Sequence, residues 1–180
     1  MFLFTGFSLV DKLKEKISSD KDNVDKKEDT KKEETKEVVS GDDLAFYNKY
    51  IDVTNKIQEA GDKVYKDYIS DVPEPRSLSK SSFVMAVSFK LSADNLERVT
   101  KEYNRSYYDG GELSKLNAGS EMKSEIESSL KGLLKVMEDY QAVAAKVSAY
   151  YSNGDFKKDL SNAVPYDEDM KAAYEKYKTA

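Results

Sequence analysis

Two short clusters of carboxylates are the residues of this chain best suited to acid–base chemistry. They are "DVPE" at residues 71–74 and "YDEDM" at residues 166–170. The chain has no His and no Cys, so it lacks the commonest general base, the commonest transition-metal ligand and any thiolate nucleophile. An enzyme built on it would have to use carboxylates, Tyr, Lys or Ser. Both clusters are more typical of charges that complement a helix N-terminus.

Other catalytic patterns are missing from the sequence. It contains no Gly-rich phosphate loop, no GxSxG elbow and no metal-ligand spacing. The stretch "DKDNVDKKEDT" at residues 20–30 resembles a calcium loop superficially, but it lacks the glycine at the sixth position and the acidic twelfth ligand. We therefore predict that the chain is not an enzyme, with no catalytic residue, no cofactor-binding residue and no metal ligand.

Thirteen tyrosines are the other chemically notable set. One hypothesis is a core with a wet rim, in which each ring is buried and each hydroxyl reaches water. The other is an aromatic groove for a peptide, glycan or other polymer. The first is favoured, because many tyrosines fall on apolar helical stripes. The adjacent pairs Tyr107-Tyr108 and Tyr150-Tyr151 cannot both face a core from one helix, so we expect one member of each pair to be partly exposed.

Composition favours long helices. Gly (8) and Pro (3) are scarce among 180 residues, which disfavours a fold of strands and turns. The net charge is −5, with lysines and acids mixed along the chain. No sustained basic patch is present to bind a phosphate backbone, so a nucleic-acid partner is not expected.

The first 43 residues divide into two segments of different character. Residues 1–17 begin with "MFLFTGFSLV", an apolar run too short to span a bilayer, which needs about 20 residues. A signal peptide would have a positive region before such a run, so the segment resembles the back half of a leader. Residues 18–43 are charge-dense and have no aromatic residue, which predicts a flexible linker. A fraying, salt-bridged helix is the alternative.

Residues 44–180 are predicted to form the helical domain. A first amphipathic helix starts near Leu44 and stops before Pro73. Its apolar stripe comprises Tyr47, Tyr50, Thr54, Ile57, Gly61, Val64 and Tyr68, widened by Leu44, Ile51 and Tyr65. Gly61 on this stripe indicates either a simple propensity cost of about 1 kcal/mol or the close approach of another helix.

The middle of the chain is less clear. The stretch "SFVMAVSFKL" at residues 82–91 alternates like a strand, but it has no partner strand in the sequence. We interpret it as an ordered apolar connection or as the start of the next helix. That helix is expected from Asp94, as N-cap, to about Tyr107, with "DGG" ending it.

The longest periodic segment runs from about Ser120 to Tyr151 and is broken by "SNGD". Its stripe comprises Met122, Ile126, Leu130, Leu133, Met137, Tyr140, Ala144, Val147 and Tyr151. This spacing suits a bundle or a coiled coil. A short helical piece and a last amphipathic stretch opened by Pro165 follow it. The predicted fold is all-α: an elongated bundle of about four helices preceded by a disordered charged tether.

Two motifs resemble those of the YiiG-like bacterial lipoproteins, a family whose domain has no assigned function. They are "YNKYIDVTNKI" in the first helix and "YYSNGDFKKD" after the longest one, and the resemblance covers roughly Leu44 to Asp159. It implies a lipoprotein leader, a charged tether and an envelope location. Family members usually continue beyond the second motif, so this reading also implies a bundle that is incomplete at its C-terminal side.

The family resemblance gives a meaning to the apolar start. A lipobox would place Cys where this chain has Phe7 in "LFTGF", so the segment as written cannot be acylated. The alternative is a short amphipathic anchor carrying Leu9, Leu13 and Ile17. The expected function is a non-enzymatic, envelope-associated helical module attached to a membrane, with a protein or polymer partner unknown. A cytoplasmic helical adaptor and a carboxylate-based hydrolase are the alternatives.

Overall fold

The computed structural model describes residues 41–105, Lys115 and residues 120–180. Within these residues the chain forms four α-helices and no strand, so the predicted all-α fold is confirmed. The helices are α1 (Gly41–Asp71), α2 (Val87–Tyr103), α3 (Ser120–Ser152) and α4 (Ala163–Lys178). The predicted apolar leader, most of the linker, the calcium-like stretch and the Tyr107-Tyr108 pair lie outside the described residues.

The helices form an antiparallel bundle. Each helix packs on the next one along the chain, and α4 returns to contact α1. Three hydrogen bonds fix the α1–α4 register, joining Tyr68 to Asp167, Asp62 to Tyr174, and Gln58 to Tyr177. Residue numbers fall on α1 as they rise on α4, so the two helices run in opposite directions. No described helix is both long enough and apolar enough to cross a bilayer.

The first helix follows its predicted stripe closely. All seven predicted stripe positions are buried, whereas Leu44 is exposed and Ile51 and Tyr65 are partly buried. Three additional apolar residues are also buried, Phe46, Val53 and Ala60, and so is Asp67. The buried face is wider than one stripe because α1 packs against α2, α3 and α4.

Gly61 marks a close approach between helices. A Cβ placed on Gly61 would lie 2.7 Å from Cζ of Tyr177 on α4. The hydroxyl of Tyr140 on α3 donates to the Gly61 carbonyl at 3.2 Å. The close-approach reading of this glycine is therefore confirmed, and the side chain that comes close is an aromatic ring.

The start of α2 differs from its prediction. The helix begins at Val87, seven residues before the predicted N-cap Asp94, which lies in its interior. Ala86 occupies the N-cap position and cannot cap with its side chain. Instead, the carboxylate of Asp71, the last residue of α1, accepts a hydrogen bond from the Phe89 backbone N–H at 2.9 Å. An acceptor from another helix thus performs the capping role, which local sequence cannot show.

The longest helix has the predicted bounds, but one residue of its apolar stripe differs from the prediction. Its described stripe residues are buried except Leu133, which is partly buried while Leu134 is 2% exposed. Both leucines lie three or four residues from Leu130 and from Met137, so spacing alone allows either on the stripe, and packing against the neighbouring helices buries Leu134. The predicted burial of Leu133 at mid-stripe is therefore wrong by one residue.

The turn between α3 and α4 covers both tyrosines of the second pair. Gly154 adopts a left-handed conformation (φ 71°), which ends the helix at the predicted "SNGD" and reverses the chain. Phe156 and Tyr166 then pack against Tyr150 at 6.5 and 5.0 Å between ring centroids. Tyr150 and Tyr151 are both buried, so the expectation that one is partly exposed is wrong.

Candidate functional site

No site residue is predicted from the sequence, but the structure brings the two carboxylate clusters to one cleft. The short 3₁₀ turn Pro75–Ser77 packs against the start of α4 and leaves a hollow of about 300 Å³. Its lining comprises Glu74, Pro75, Arg76, Val164, Asp167, Glu168 and Lys171. This is the place where carboxylate chemistry would have to occur.

Asp167 is the buried carboxylate of this cleft, and both of its oxygens are engaged. The Tyr68 hydroxyl donates to Oδ1 at 2.8 Å, and Lys171 Nζ donates to Oδ2 at 2.7 Å. Burial, followed by the hydrogen bond to Asp167, raises the pKa of Tyr68. The same carboxylate raises the pKa of Lys171. Both donors therefore stay protonated at neutral pH.

This arrangement suits structure better than catalysis. A general base must reach a substrate proton, and each oxygen of Asp167 already accepts a hydrogen bond, one from Tyr68 on α1 and one from Lys171. The expected helix-start role is also only partly right. Asp167 lies beyond the first turn of α4, and Asp71 acts at the start of α2 through space. No group of three carboxylates within the described ranges is arranged to hold a metal ion.

The tyrosines form contacts between helices. Tyr65 on α1 stacks on Tyr174 on α4, with ring centroids 4.0 Å apart and planes 4° apart. Tyr140 on α3 stacks on Tyr177 on α4 at 5.6 Å and 13°. These rings lie between helices, and Tyr140 also lines a hollow of about 250 Å³ between α3 and α4.

The hydroxyls of the buried rings mostly reach protein acceptors, which corrects the expectation that they reach water. Tyr177 donates to the Gln58 carbonyl at 3.0 Å, and Tyr150 donates to the Asp159 carbonyl at 2.6 Å. Tyr151 is the exception, because its buried hydroxyl has no partner among the described residues. Sequence alone could not find these acceptors, since they are backbone carbonyls and distant carboxylates.

The most unusual surface feature lies between α1 and α2. Phe83, Met85, Val87 and Leu91 are 77%, 62%, 57% and 64% exposed. We call these four side chains the apolar surface. Single exposed apolar residues are normal, but four within nine residues are unusual on a protein surface and are typical of interaction sites.

Sequence reasoning noticed this stretch and missed its exposure. Its alternation was expected to indicate an ordered apolar connection or a helix start, and both apply, because residues 83–86 are non-helical and α2 starts at Val87. The charged residues of this segment set it apart from the rest of the chain. Residues 75–93 contain Arg76, Lys80 and Lys90 but no Asp or Glu, within a chain of net charge −5.

The comparisons with known proteins add no assignment. The chain matches no protein-family model, no curated protein and no solved structure.

Proposed function

We propose that this chain is a non-catalytic, membrane-attached helical module of the bacterial envelope, similar in organisation to a lipoprotein. Residues 1–17 provide the attachment, residues 18–43 provide a tether, and the bundle serves as the binding part. The resemblance of its motifs to the YiiG-like lipoproteins supports the membrane attachment. The attachment itself stays a prediction.

One structural observation carries the binding role. The bundle exposes four large apolar side chains at one end, while its tyrosines and its buried carboxylate are engaged in contacts between helices. The buried carboxylate of the cleft is occupied by two hydrogen bonds, whereas the four side chains of the apolar surface are each more than half exposed within the described part of the chain. A binding module fits this distribution better than an enzyme does.

The alternative functions fit less well. A carboxylate-based hydrolase would need a carboxylate that is both shielded from water and free to take a proton. In the cleft Glu74 and Glu168 are exposed, and the buried Asp167 already accepts a hydrogen bond on each oxygen. A cytoplasmic adaptor would use the same apolar surface, but it gives no role to the apolar run of residues 1–10.

Fractionation of the cells that naturally make the protein tests the proposal. We expect the full chain in the membrane fraction, and a larger soluble share for a chain lacking residues 1–17, with the same helical content. Recovery of the full chain in the cytoplasmic fraction would overturn the proposal in favour of the adaptor. Hydrolysis of a substrate that is abolished by Asp167→Asn in a folded protein would favour the hydrolase.

A further inference from the structure

We propose that the apolar surface is a second membrane contact, which inserts into the interface of an anionic bilayer. The inference rests on the proposed attachment of the chain to a membrane, but it concerns different residues and a different end of α1. Residues 1–17 precede the N-terminal end of α1, whereas the apolar surface lies where α1 ends and α2 begins.

The geometry directs these side chains outward together. Phe83, Met85 and Val87 are alternate residues and are exposed, whereas Ala86 between them is buried. Val87 and Leu91 are four residues apart, so they lie on the same face of α2. The surface is therefore continuous from the connection into the first turn of the helix.

The backbone beneath the surface is firmly held. Phe89 is fully buried, and its ring packs edge-on against Tyr68 at 5.2 Å between centroids. Its backbone N–H is bound by the Asp71 carboxylate. Because the first turn of α2 is anchored to α1, the backbone at Val87 needs little ordering on binding, which favours affinity.

The charges around the surface select an anionic bilayer as the occupant. Arg76, Lys80 and Lys90 are the only charged residues between positions 75 and 93. Lys90 pairs with Asp94 at 2.8 Å, Lys80 lies near Asp159, and Arg76 lines the cleft with Glu74. These are exposed surface contacts, which contribute little to stability, so anionic headgroups can replace them as partners of the cations. Apolar side chains flanked by cations suit the boundary between acyl chains and negative headgroups.

A second copy of the chain is a poorer occupant. A symmetric contact through this surface would place the cations of both copies close together, and like charges facing each other disfavour association. The tether also permits membrane contact. Residues 18–40 can span at most about 80 Å, whereas α1 with its 31 residues is about 46 Å long. The apolar surface can therefore reach the membrane that holds residues 1–17.

Co-sedimentation of the full chain with phosphatidylcholine vesicles, with and without phosphatidylglycerol, tests the inference. We expect Phe83→Ser combined with Met85→Ser to weaken binding to the anionic vesicles by at least about tenfold, since each side chain loses apolar burial. Leu44→Ser is the matched control, an exposed apolar position at the other end of α1, and should bind like the wild type.

A second pair of variants tests the charge. Lys90 and Lys56 each pair with an Asp four residues away, and both side chains are 52% exposed. Lys90→Gln should weaken binding to anionic vesicles and leave the weaker binding to phosphatidylcholine unchanged, whereas Lys56→Gln should change neither. Circular dichroism of each variant checks that it is folded.

The outcomes separate this inference from the proposed anchor. If the double variant binds like the wild type while a chain lacking residues 1–17 does not bind, the inference is overturned and the anchor stands. If the double variant loses binding while the truncated chain keeps it, the inference stands and the anchor fails. Self-association without vesicles that the double variant abolishes would overturn the inference in favour of a dimer interface. Selective binding of a protein partner with no vesicle binding would also overturn it.

Discussion

Gly61 and Tyr177 make a close contact between α1 and α4. Glycine inside a helix normally costs about 1 kcal/mol relative to alanine, so replacing glycine with alanine at an exposed helical position stabilises a protein. Here the added methyl would lie 2.7 Å from a ring that is buried, stacked on Tyr140 and hydrogen-bonded to Gln58. We predict that Gly61→Ala lowers the free energy of unfolding by about 1 to 3 kcal/mol, measured by urea denaturation.

Gly132 provides the matched control. It lies on an exposed part of α3, and a Cβ there would meet nothing within 4 Å. Gly132→Ala should therefore raise the free energy of unfolding by up to about 1 kcal/mol. Equal effects of the two substitutions would show that the ring of Tyr177 moves aside without cost.

Two buried tyrosine hydroxyls provide a second contrast at this scale. Tyr68→Phe removes a hydroxyl that donates to the Asp167 carboxylate at 2.8 Å, and we expect a loss of about 1 to 3 kcal/mol in unfolding free energy. Tyr151→Phe removes a buried hydroxyl without a partner in the described part of the chain. That change should be neutral or stabilising. Thermal melting of both variants measures the two changes in stability. A larger loss of stability for Tyr151→Phe than for Tyr68→Phe would contradict the prediction.

Residue-level features were predictable where they depend on periodicity. The stripe of α1 follows from the spacing of its apolar residues, and the structure confirms it. The choice between two meanings of Gly61 was not predictable, because the side chain that approaches it lies 116 residues later in the chain. The acceptors of the Tyr68 and Tyr177 hydroxyls were not predictable either, because they lie 99 and 119 residues away in the sequence.

At the scale of elements, the start of α2 depends on the end of α1. Asp71→Ala should remove the acceptor for the Phe89 N–H and lower stability by about 0.5 to 2 kcal/mol, the usual range for a lost cap. Asp94→Ala is the control, because the sequence predicts Asp94 as the N-cap while the structure places it on an exposed face, paired with Lys90. It should cost at most about 0.5 kcal/mol.

Urea denaturation of these two Asp variants distinguishes the local from the non-local cap. A greater loss for Asp94→Ala would mean that α2 starts at the position expected from local sequence. Helix ends, by contrast, were predictable, since α1 ends just before Pro73 and α3 ends just before Gly154. Proline and glycine act on the backbone locally, whereas the Asp71 cap acts across 18 residues.

At the scale of the whole molecule, the tyrosines make the fold sensitive to alkali. Burial is the main cause of raised pKa values at Tyr50, Tyr68, Tyr140, Tyr150, Tyr151, Tyr174 and Tyr177. The pKa of Tyr174 rises from 10.0 to about 12. Between these pH values the unfolded chain loses tyrosine protons that the folded chain keeps, so stability falls as pH rises.

We therefore predict cooperative unfolding above pH 10, the ordinary pKa of tyrosine. Helical circular dichroism should fall at the same pH at which tyrosinate absorbance rises, and return to neutral pH should restore both. Below pH 10 the tyrosine contribution to stability is fully present. Complete ionisation of the tyrosines with unchanged helical signal would contradict the prediction.

The site was less predictable from sequence than the architecture. Helical periodicity indicates which residues face a core, but exposure of Phe83 and Met85 depends on whether another element covers them. The two carboxylate clusters, 95 residues apart between Asp71 and Tyr166, meet at one cleft only because α4 runs antiparallel to α1. Whether Asp167 serves structure or chemistry depends on Tyr68 and Lys171, which donate the hydrogen bonds to its two oxygens.

The antiparallel return of α4 to α1 also has a consequence for the order of folding. The contact that joins α1 to α2 spans 18 residues, whereas the hydroxyl contacts that join α4 to α1 span 99 to 119 residues. Closing the longer loops costs about 1.5 kcal/mol more in chain entropy. Helices α1 and α2 should therefore pair early and α4 should dock late. Until it docks, the rings of Tyr65 and Tyr140 lack their stacking partners, and the partly folded chain is then at its most prone to aggregate.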